Sequence, residues 1–337
     1  MSVAVLIFCL NEVEGVLRNI RSMQEFVDEI ILVDSSSPED HEALRSLASP
    51  YSAKIYHALP LGFPEPLRPF GLSKVESDYA LILDADEEAS VGLRSDLRDL
   101  HEHEAYVLPR LEEGLRSYTY HLRLLRPAAV RFRYRSFDFP EVLGHIGHLD
   151  KSRRLIHHAD YSNYLTEKAR AQRYFTIENV ERPFNRQYGR ESLTTRFTRR
   201  SVSVPLTRGL LVPPETPLSS RMIGVLINFE FLRDMVLGKG LRAASFNRRY
   251  SLGKRRFLLG LSDAERDFLQ AAAIEVQRSG GLFRYLGLDN PAYVDQLTRS
   301  FQWNLRGIDV YKNLLRYRLN YGEPADSVPV LANPNAC

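Results

Sequence analysis

Three stretches of this chain are apolar without interruption and short: "VAVLIFCL" at Val3–Leu10, the "IILV" inside "EIILVD" (Glu29–Asp34) and "YALIL" at Tyr79–Leu83. A strand with one wet face alternates apolar and polar residues, so unbroken runs of this length belong to strands covered on both faces, the form parallel sheets take. Between the first two lies a helical pattern with Val16, Leu17, Ile20 and Met23 on one side. After the second, "SSSPEDHEALRSLA" opens a helix with a Ser cap and Pro38 in its first turn, and "AKIYHA" follows as a shorter strand. A Pro- and Gly-rich loop, "LPLGFPEPLRPFG", leads through a short helix to "YALIL". Strand and helix in alternation predict an α/β fold with an open, mostly parallel sheet flanked by helices.

Ligands of such sheets sit beyond the carboxyl ends of the strands. The polar residues placed there are Asn11 and Glu12 after the first strand, Asp34 after the second, and Asp84 and Asp86 after the fourth. The fourth strand delivers "DADEE", and no Lys or Arg stands between Lys74 and Arg94. Carboxylates gathered without a basic neighbour repel one another unless a cation sits among them, which points to a metal site. The Gly-rich dinucleotide fingerprint and the phosphate-binding loop G-x-x-x-x-G-K-[ST] are absent. An aspartyl-phosphate motif would carry Thr or Val where Glu88 stands.

Beyond Asp86 the pattern is mixed. "AYVLPR", "YHLRLLRP" and "VRFRYRSF" read as strands in which Arg recurs, and "RRLIHHADY" as a short strand leading out. From about Thr166 the chain reads as mainly helical, with "TEKARAQRYFTIENVERPF" first and two further helices at about Ser262–Arg278 and Ala292–Tyr317. The division expected is a catalytic domain over 1–165 and a helical region over 166–337. Net charge is +3, but residues 1–100 hold 8 Lys and Arg against 18 Asp and Glu, so the remainder is strongly basic. "RAASFNRRYSLGKRR", Arg242–Arg256, carries six basic residues and no acid. It reads equally as a solvated face or as a contact for an anionic membrane or nucleic acid. The apolar N-terminus reaches Glu12 without a basic flank or cleavage site, and the longest later apolar run, Met222–Phe229, is far below the ~20 residues of a membrane span. Two cysteines imply no disulfide framework. A cytoplasmic location is expected, with peripheral contact to the cytoplasmic face of a membrane as an option.

"VLIFCLNEVEGVLRNIRSM", "DEIILVDSSSPED", "AKIYH" and "PLRPFGLSKVESDYALILDADEE" resemble, in order, the N-terminal domain of family 2 glycosyltransferases of the GT-A fold. Within that family the chain looks most like bacterial enzymes that build lipopolysaccharide core and other cell-surface glycans. The resemblance covers residues 3 to about 110 and continues weakly through "HLRLLRP", "FPEV" and "LIHHADY". It departs at "LRPFG", where Pro69 and Phe70 stand in place of the family's usual Asn or Gln.

The resemblance implies a nucleotide-sugar-binding part at 1–110, an acceptor side at 111–165, and inverting transfer from a nucleoside diphosphate-sugar, UDP by family habit. The acceptor implied is a cell-surface glycan or lipid-linked saccharide. It also implies Asp86 as ligand of Mn²⁺ or Mg²⁺ and Asp84 as contact to the ribose or, through water, to the metal. Asn11, Glu12, Asp34 and Arg68 would complete the nucleotide site, with Asp34 facing the base and Arg68 the nucleotide or its phosphates. Glu141 in "FPEV" is the candidate base for the acceptor hydroxyl, with Asp138 behind it.

Of His157 and His158, neighbours on a strand-like run, only one can face the crevice. His158 is assigned to the metal shell, although each also reads as a structural histidine. His145 and His148 in "GHIGHLD" read as loop residues. Nucleic acid is not an expected partner of an enzyme of this kind. The competing reading keeps the nucleotide-sugar fold but makes the chain a catalytically silent module that binds anionic lipid or nucleic acid through its basic part.

Overall fold

The computed structural model describes residues 1–61, 64–112, 117–132, 140–158, 180, 260–301, 303 and 308–321. Its first half follows the expected alternation: β1 (Val3–Cys9), α1 (Val13–Met23), β2 (Glu29–Asp34), α2 (Pro38–Ala48), β3 (Lys54–His57), α3 (Arg68–Leu72) and β4 (Tyr79–Asp84). Ser37 caps α2, its hydroxyl accepting from the Asp40 amide, and Pro38 fills the first helical position, where a missing N–H costs nothing. The chain continues through β5 (Glu87–Ala89), α4 (Val91–Asp96), β6 (Ala105–Glu112), β7 (Ser117–Leu125), β8 (Val130–Arg131), β9 (Glu141–Val142), β10 (Ile146–His148) and β11 (Leu155–His157). Among the described residues after 260 stand four helices: α5 (Asp263–Arg278), α6 (Leu282–Leu286), α7 (Pro291–Ser300) and α8 (Ile308–Tyr321).

Nine strands form one sheet in the order β3-β2-β1-β4-β7-β6-β11-β5, with β10 beside β6. The first four are parallel; β7 is antiparallel to both β4 and β6, and β11 runs parallel to β6. Residues of the unbroken runs divide between the two faces. Val5, Ile7, Leu32, Leu81 and Leu83 pack with Val16, Ile20 and Met23 of α1 and Leu44 of α2. Leu6, Phe8, Ile31, Val33 and Ile82 pack with Phe70 of α3 and with Leu269, Val276, Val294, Leu297 and Leu314 of the C-terminal helices. The helices after residue 260 therefore share one apolar core with the sheet.

Two expectations need correction. The helix expected over Ala292–Tyr317 is two helices, because α7 stops at Ser300. There Thr298 and Ser300 turn their hydroxyls back onto the carbonyls of Val294 and Gln296, and Phe301 is extended (φ −72°, ψ 130°). The "GHIGHLD" segment, expected as loop, contributes β10, which pairs with Ala105–Val107 at the start of β6. Apart from Val180, the segments at Thr166–Phe184, Met222–Phe229 and Arg242–Arg256, and all of "VRFRYRSF" after Phe132, lie outside the described residues.

Candidate active site

Strand register brings the polar ends together. Cys9 pairs with Asp34, Phe8 with Asp84 and Asp34 with His57, so β1, β2, β3 and β4 finish within a residue of one line. Beyond that line two polar clusters form.

The first surrounds Asp34. It has no exposed surface; Oδ1 accepts from the Ser36 amide (3.0 Å), the Ser36 hydroxyl and the Cys9 thiol, while Oδ2 lies 2.8 Å from Nδ1 of His41. Burial works against ionisation of Asp34, but the hydrogen bonds from His41 and Ser36 outweigh it and hold the carboxyl below its ordinary value. Both oxygens are thus engaged inside the protein. Asn11 sits just past β1 in the left-handed region (φ 59°), and its amide donates to Ser36 Oγ at 2.8 Å. Glu12 is exposed, and its carbonyl accepts the first bond of α1 from Val16.

The second cluster surrounds the end of β4, and it corrects the expectation that these acids lack basic partners. Arg123 of β7, almost fully buried, donates to Asp84 Oδ2 at 2.7 Å and to Glu87 Oε1 at 2.8 Å. Arg110 of β6 reaches the same Glu87 oxygen at 2.7 Å, and the Asp84 amide donates to Glu87 Oε2. The arginines are distant in sequence but adjacent in the sheet, because β7 inserts beside β4. Burial raises Glu87, against the pull of Arg123. For Asp84 burial is outweighed by Arg123 and Arg68, which hold its carboxyl far below the usual range. Glu65, just before α3, is raised by burial against the pull of Arg68, its partner at 3.7 Å.

Four buried atoms of this cluster have no hydrogen-bond partner: Oδ1 of Asp84, Oε2 of Glu65, Nε of Arg68 and Nη1 of Arg123. The two cationic donors and the Asp84 oxygen, left open where ligands of such sheets bind, fit a diphosphate with an associated cation. Asp86 follows in the β4–β5 turn, 30% exposed, with His157 Nε2 3.1 Å from its Oδ2. His158 lies against Glu88 (3.4 Å), which also meets Arg18 at 4.0 Å. The histidine whose ring meets the Asp86 carboxylate is therefore His157, at the end of β11, while His158 donates its backbone amide to the Asp86 carbonyl at 2.9 Å. Among the described residues no three His, Cys, Asp or Glu side chains converge on one point. A cation held by Asp86 and Asp84 would draw the rest of its shell from phosphate oxygens and water, as Mg²⁺ commonly does.

The turn is braced from below. A Cβ on Gly15 of α1 would come 2.4 Å from the Ala85 carbonyl, and Asn19, fully buried, directs its Nδ2 at the same oxygen (3.5 Å).

A model of glycosyl transferase family 2 matches residues 4–189, more than half of the chain. This chain is a family 2 glycosyltransferase. The mostly parallel sheet, its flanking helices and the helical C-terminal part are those of the GT-A fold. No curated protein matches the glycosyltransferase in sequence. Among solved structures, residues 1–349 of TarS from S. aureus are 12% identical over 96% of this chain and 88% of that one, with a TM-score of 0.36. HddC from Yersinia pseudotuberculosis is 11% identical over 46% and 92% (TM-score 0.33). 4-Diphosphocytidyl-2C-methyl-D-erythritol synthase from Anaerococcus prevotii is 16% identical over 38% and 70% (TM-score 0.28).

The remaining candidates stand apart from the two clusters. Glu141 is exposed on β9, opposite Arg131 in a separate two-stranded ribbon, and Asp138 lies outside the described residues. His145 precedes β10 and His148 ends it, and β10 pairs with the start of β6 at Ala105–Val107, whereas Arg110, which meets Glu87, lies further along that strand. Residues that sequence reasoning missed are Arg110, Arg123, Glu65, Glu87, His41 and His57. The recurrence of Arg in "YHLRLLRP" was the one available signal.

Proposed function

We propose that the glycosyltransferase takes its sugar from a nucleoside diphosphate donor, a UDP-sugar first among candidates. It passes the sugar, with inversion, to a cell-surface glycan or lipid-linked saccharide. The observation that carries the reading is the open triad of Asp84 Oδ1, Arg68 Nε and Arg123 Nη1 at the end of β4. Asp86 and Asp84 would hold a divalent cation, Mn²⁺ or Mg²⁺, which would neutralise the charge that develops on the leaving diphosphate.

The protein's own groups do the rest. Arg68 and Arg123 direct donors at the phosphate oxygens from a buried, preorganised position, where such interactions are stronger than in water. Glu87 and Arg110 fix Arg123 so that it need not reorganise when charge moves. Asn11 and the Ser36 turn, anchored by Asp34, shape the nucleoside end. His157 orients Asp86. Glu141, on the β8–β9 ribbon apart from both clusters, would have to be carried to the acceptor hydroxyl to act as its base; the attacking oxygen enters opposite the leaving diphosphate. Residues 1–165 carry this chemistry, and the described helices after residue 260 pack on the sheet beneath it.

Family membership favours this enzyme over a silent binding module. Among the described residues no helix is long and apolar enough to cross a membrane. Contact with an anionic membrane stays attached to Arg242–Arg256 and is tested by vesicle binding with those arginines neutralised. The reading as a whole is tested by incubating UDP-, GDP-, CDP- and dTDP-sugars with Mn²⁺ and an acceptor panel. Release of one nucleoside diphosphate, lost in Asp86→Asn, is the expected result; no release from any donor, with either ion, counts against it.

A further inference from the structure

His57, the last residue of β3, lies between two other rings. Its centroid is 4.1 Å from that of His41 (13° between planes) and 4.1 Å from that of Trp303 (7°). Two rings each parallel to a third at stacking distance occupy its opposite faces, so His57 is sandwiched. Phe301 meets Trp303 edge-on at 5.2 Å and 82°. His57 Nε2 is 2.9 Å from the Ser36 carbonyl, an acceptor only, so Nε2 carries the proton. Burial lowers the His57 pKa, which agrees with a neutral ring bonded in this way. Ser36 in turn takes the Asn11 amide on its hydroxyl and gives its own proton to Asp34.

A continuous chain of contacts thus runs from Trp303 through His57 and Ser36 to Asn11. Trp303 belongs to the C-terminal helical part, beyond the segment that the family model matches. Asn11 is in the left-handed region, which Asn tolerates better than most side chains, and its amide is held there by Ser36 Oγ. A second tie joins the same parts: Lys74, just after α3, pairs with Asp295 of α7 at 3.2 Å and lies over the Phe70 ring.

We propose that Trp303 is a positioning residue for the donor nucleotide. By stacking on His57 it fixes the Ser36 turn and, through it, the backbone of Asn11 at the nucleoside end of the cleft. The role rests on the reading of that end as the donor site. Trp303 itself touches no reacting atom. Its aromatic plane is what matters, so phenylalanine should substitute for it and alanine should not.

The test uses the full chain and the variants Trp303→Ala and Trp303→Phe, with two readouts. The first is amide hydrogen exchange without any nucleotide. Trp303→Ala should speed exchange at Asn11 and Ser36 on the order of tenfold relative to Ile7 in the middle of β1, and Trp303→Phe should restore it. The second is the dissociation constant for UDP with Mn²⁺, which Trp303→Ala should raise about tenfold, the worth of one well-packed aromatic pair. Unchanged exchange at Asn11, an equal increase throughout β1, or an unchanged constant in Trp303→Ala each overturns the positioning role. Failure of the natural chain to bind any nucleoside diphosphate overturns the donor-site reading instead, and the exchange result then judges the contact chain separately.

Discussion

Replacing Arg123 by methionine keeps much of the side-chain volume at the end of β4 and removes the charge. The side chain is 4% exposed and serves both Asp84 and Glu87, and Glu87 has no exposed side-chain surface. Removing one partner of a buried ion pair costs about 3–5 kcal/mol, because the charge left behind is neither solvated nor paired. Two features place the expected loss at the lower end, about 3 kcal/mol. Asp84 is 26% exposed, so water screens it in part, and Glu87 retains Arg110 at 2.7 Å.

The pH dependence has a definite sign. Burial raises the folded pKa of Glu87, and loss of Arg123 removes a group that lowers it, so the variant's value is higher still. A carboxyl raised on folding contributes stability below its unfolded value, about 4.3, and loses it as pH rises through the folded value. The loss in Arg123→Met should therefore be largest at pH 7.5 and shrink toward pH 5 as Glu87 takes up a proton. Urea unfolding followed by circular dichroism at both pH values measures it. At a slope of about 3 kcal/mol/M the midpoint should fall by roughly 1 M at pH 7.5. A loss under about 1 kcal/mol there, or the same loss at both pH values, would refute the reasoning.

Gly15→Ala drives a methyl into the Ala85 carbonyl, so it should displace the "DADE" turn and cut turnover roughly 10–100-fold while melting falls by only a few degrees; unchanged turnover would show that the turn tolerates the shift. Asp34 is held below its ordinary value, so it contributes stability above the unfolded value of about 3.9 that is lost as pH falls through the lower folded one. Melting temperature against pH should accordingly lose part of its acid limb in Asp34→Asn; an identical limb would argue against it. Ser262→Ala removes the reciprocal cap with Glu265 at the start of α5 and should cost about 1 kcal/mol by chemical denaturation.

What the sequence disclosed follows from burial. β1, β2 and β4 were legible because a strand covered on both faces has no polar alternation to blur it. Helix α5 was legible because Ser262 and Glu265 mark its start. The end of α7 was not, since no Gly or Pro stands directly after Ser300 to mark the stop. The strand-end acids could be found from their spacing, but Arg110 and Arg123 could not be assigned to them. Which strand neighbours β4 depends on β7 inserting antiparallel, a long-range pairing with no local signal. The absence of Lys or Arg near "DADEE" along the chain thus misled about its surroundings in space. For the same reason Trp303, far from His57 in sequence, carried no sign of their contact.

The most direct test of the account is the melting of the natural chain and of Asp86→Asn with UDP, GDP, CDP and dTDP, each with and without Mn²⁺. A ligand at about a hundred times its dissociation constant stabilises the fold by roughly 2.7 kcal/mol, which is readily seen as a shift in melting. The account predicts a metal-dependent rise with one nucleoside diphosphate in the natural chain and none in Asp86→Asn. No rise with any nucleotide, or an equal rise in the variant, would contradict it.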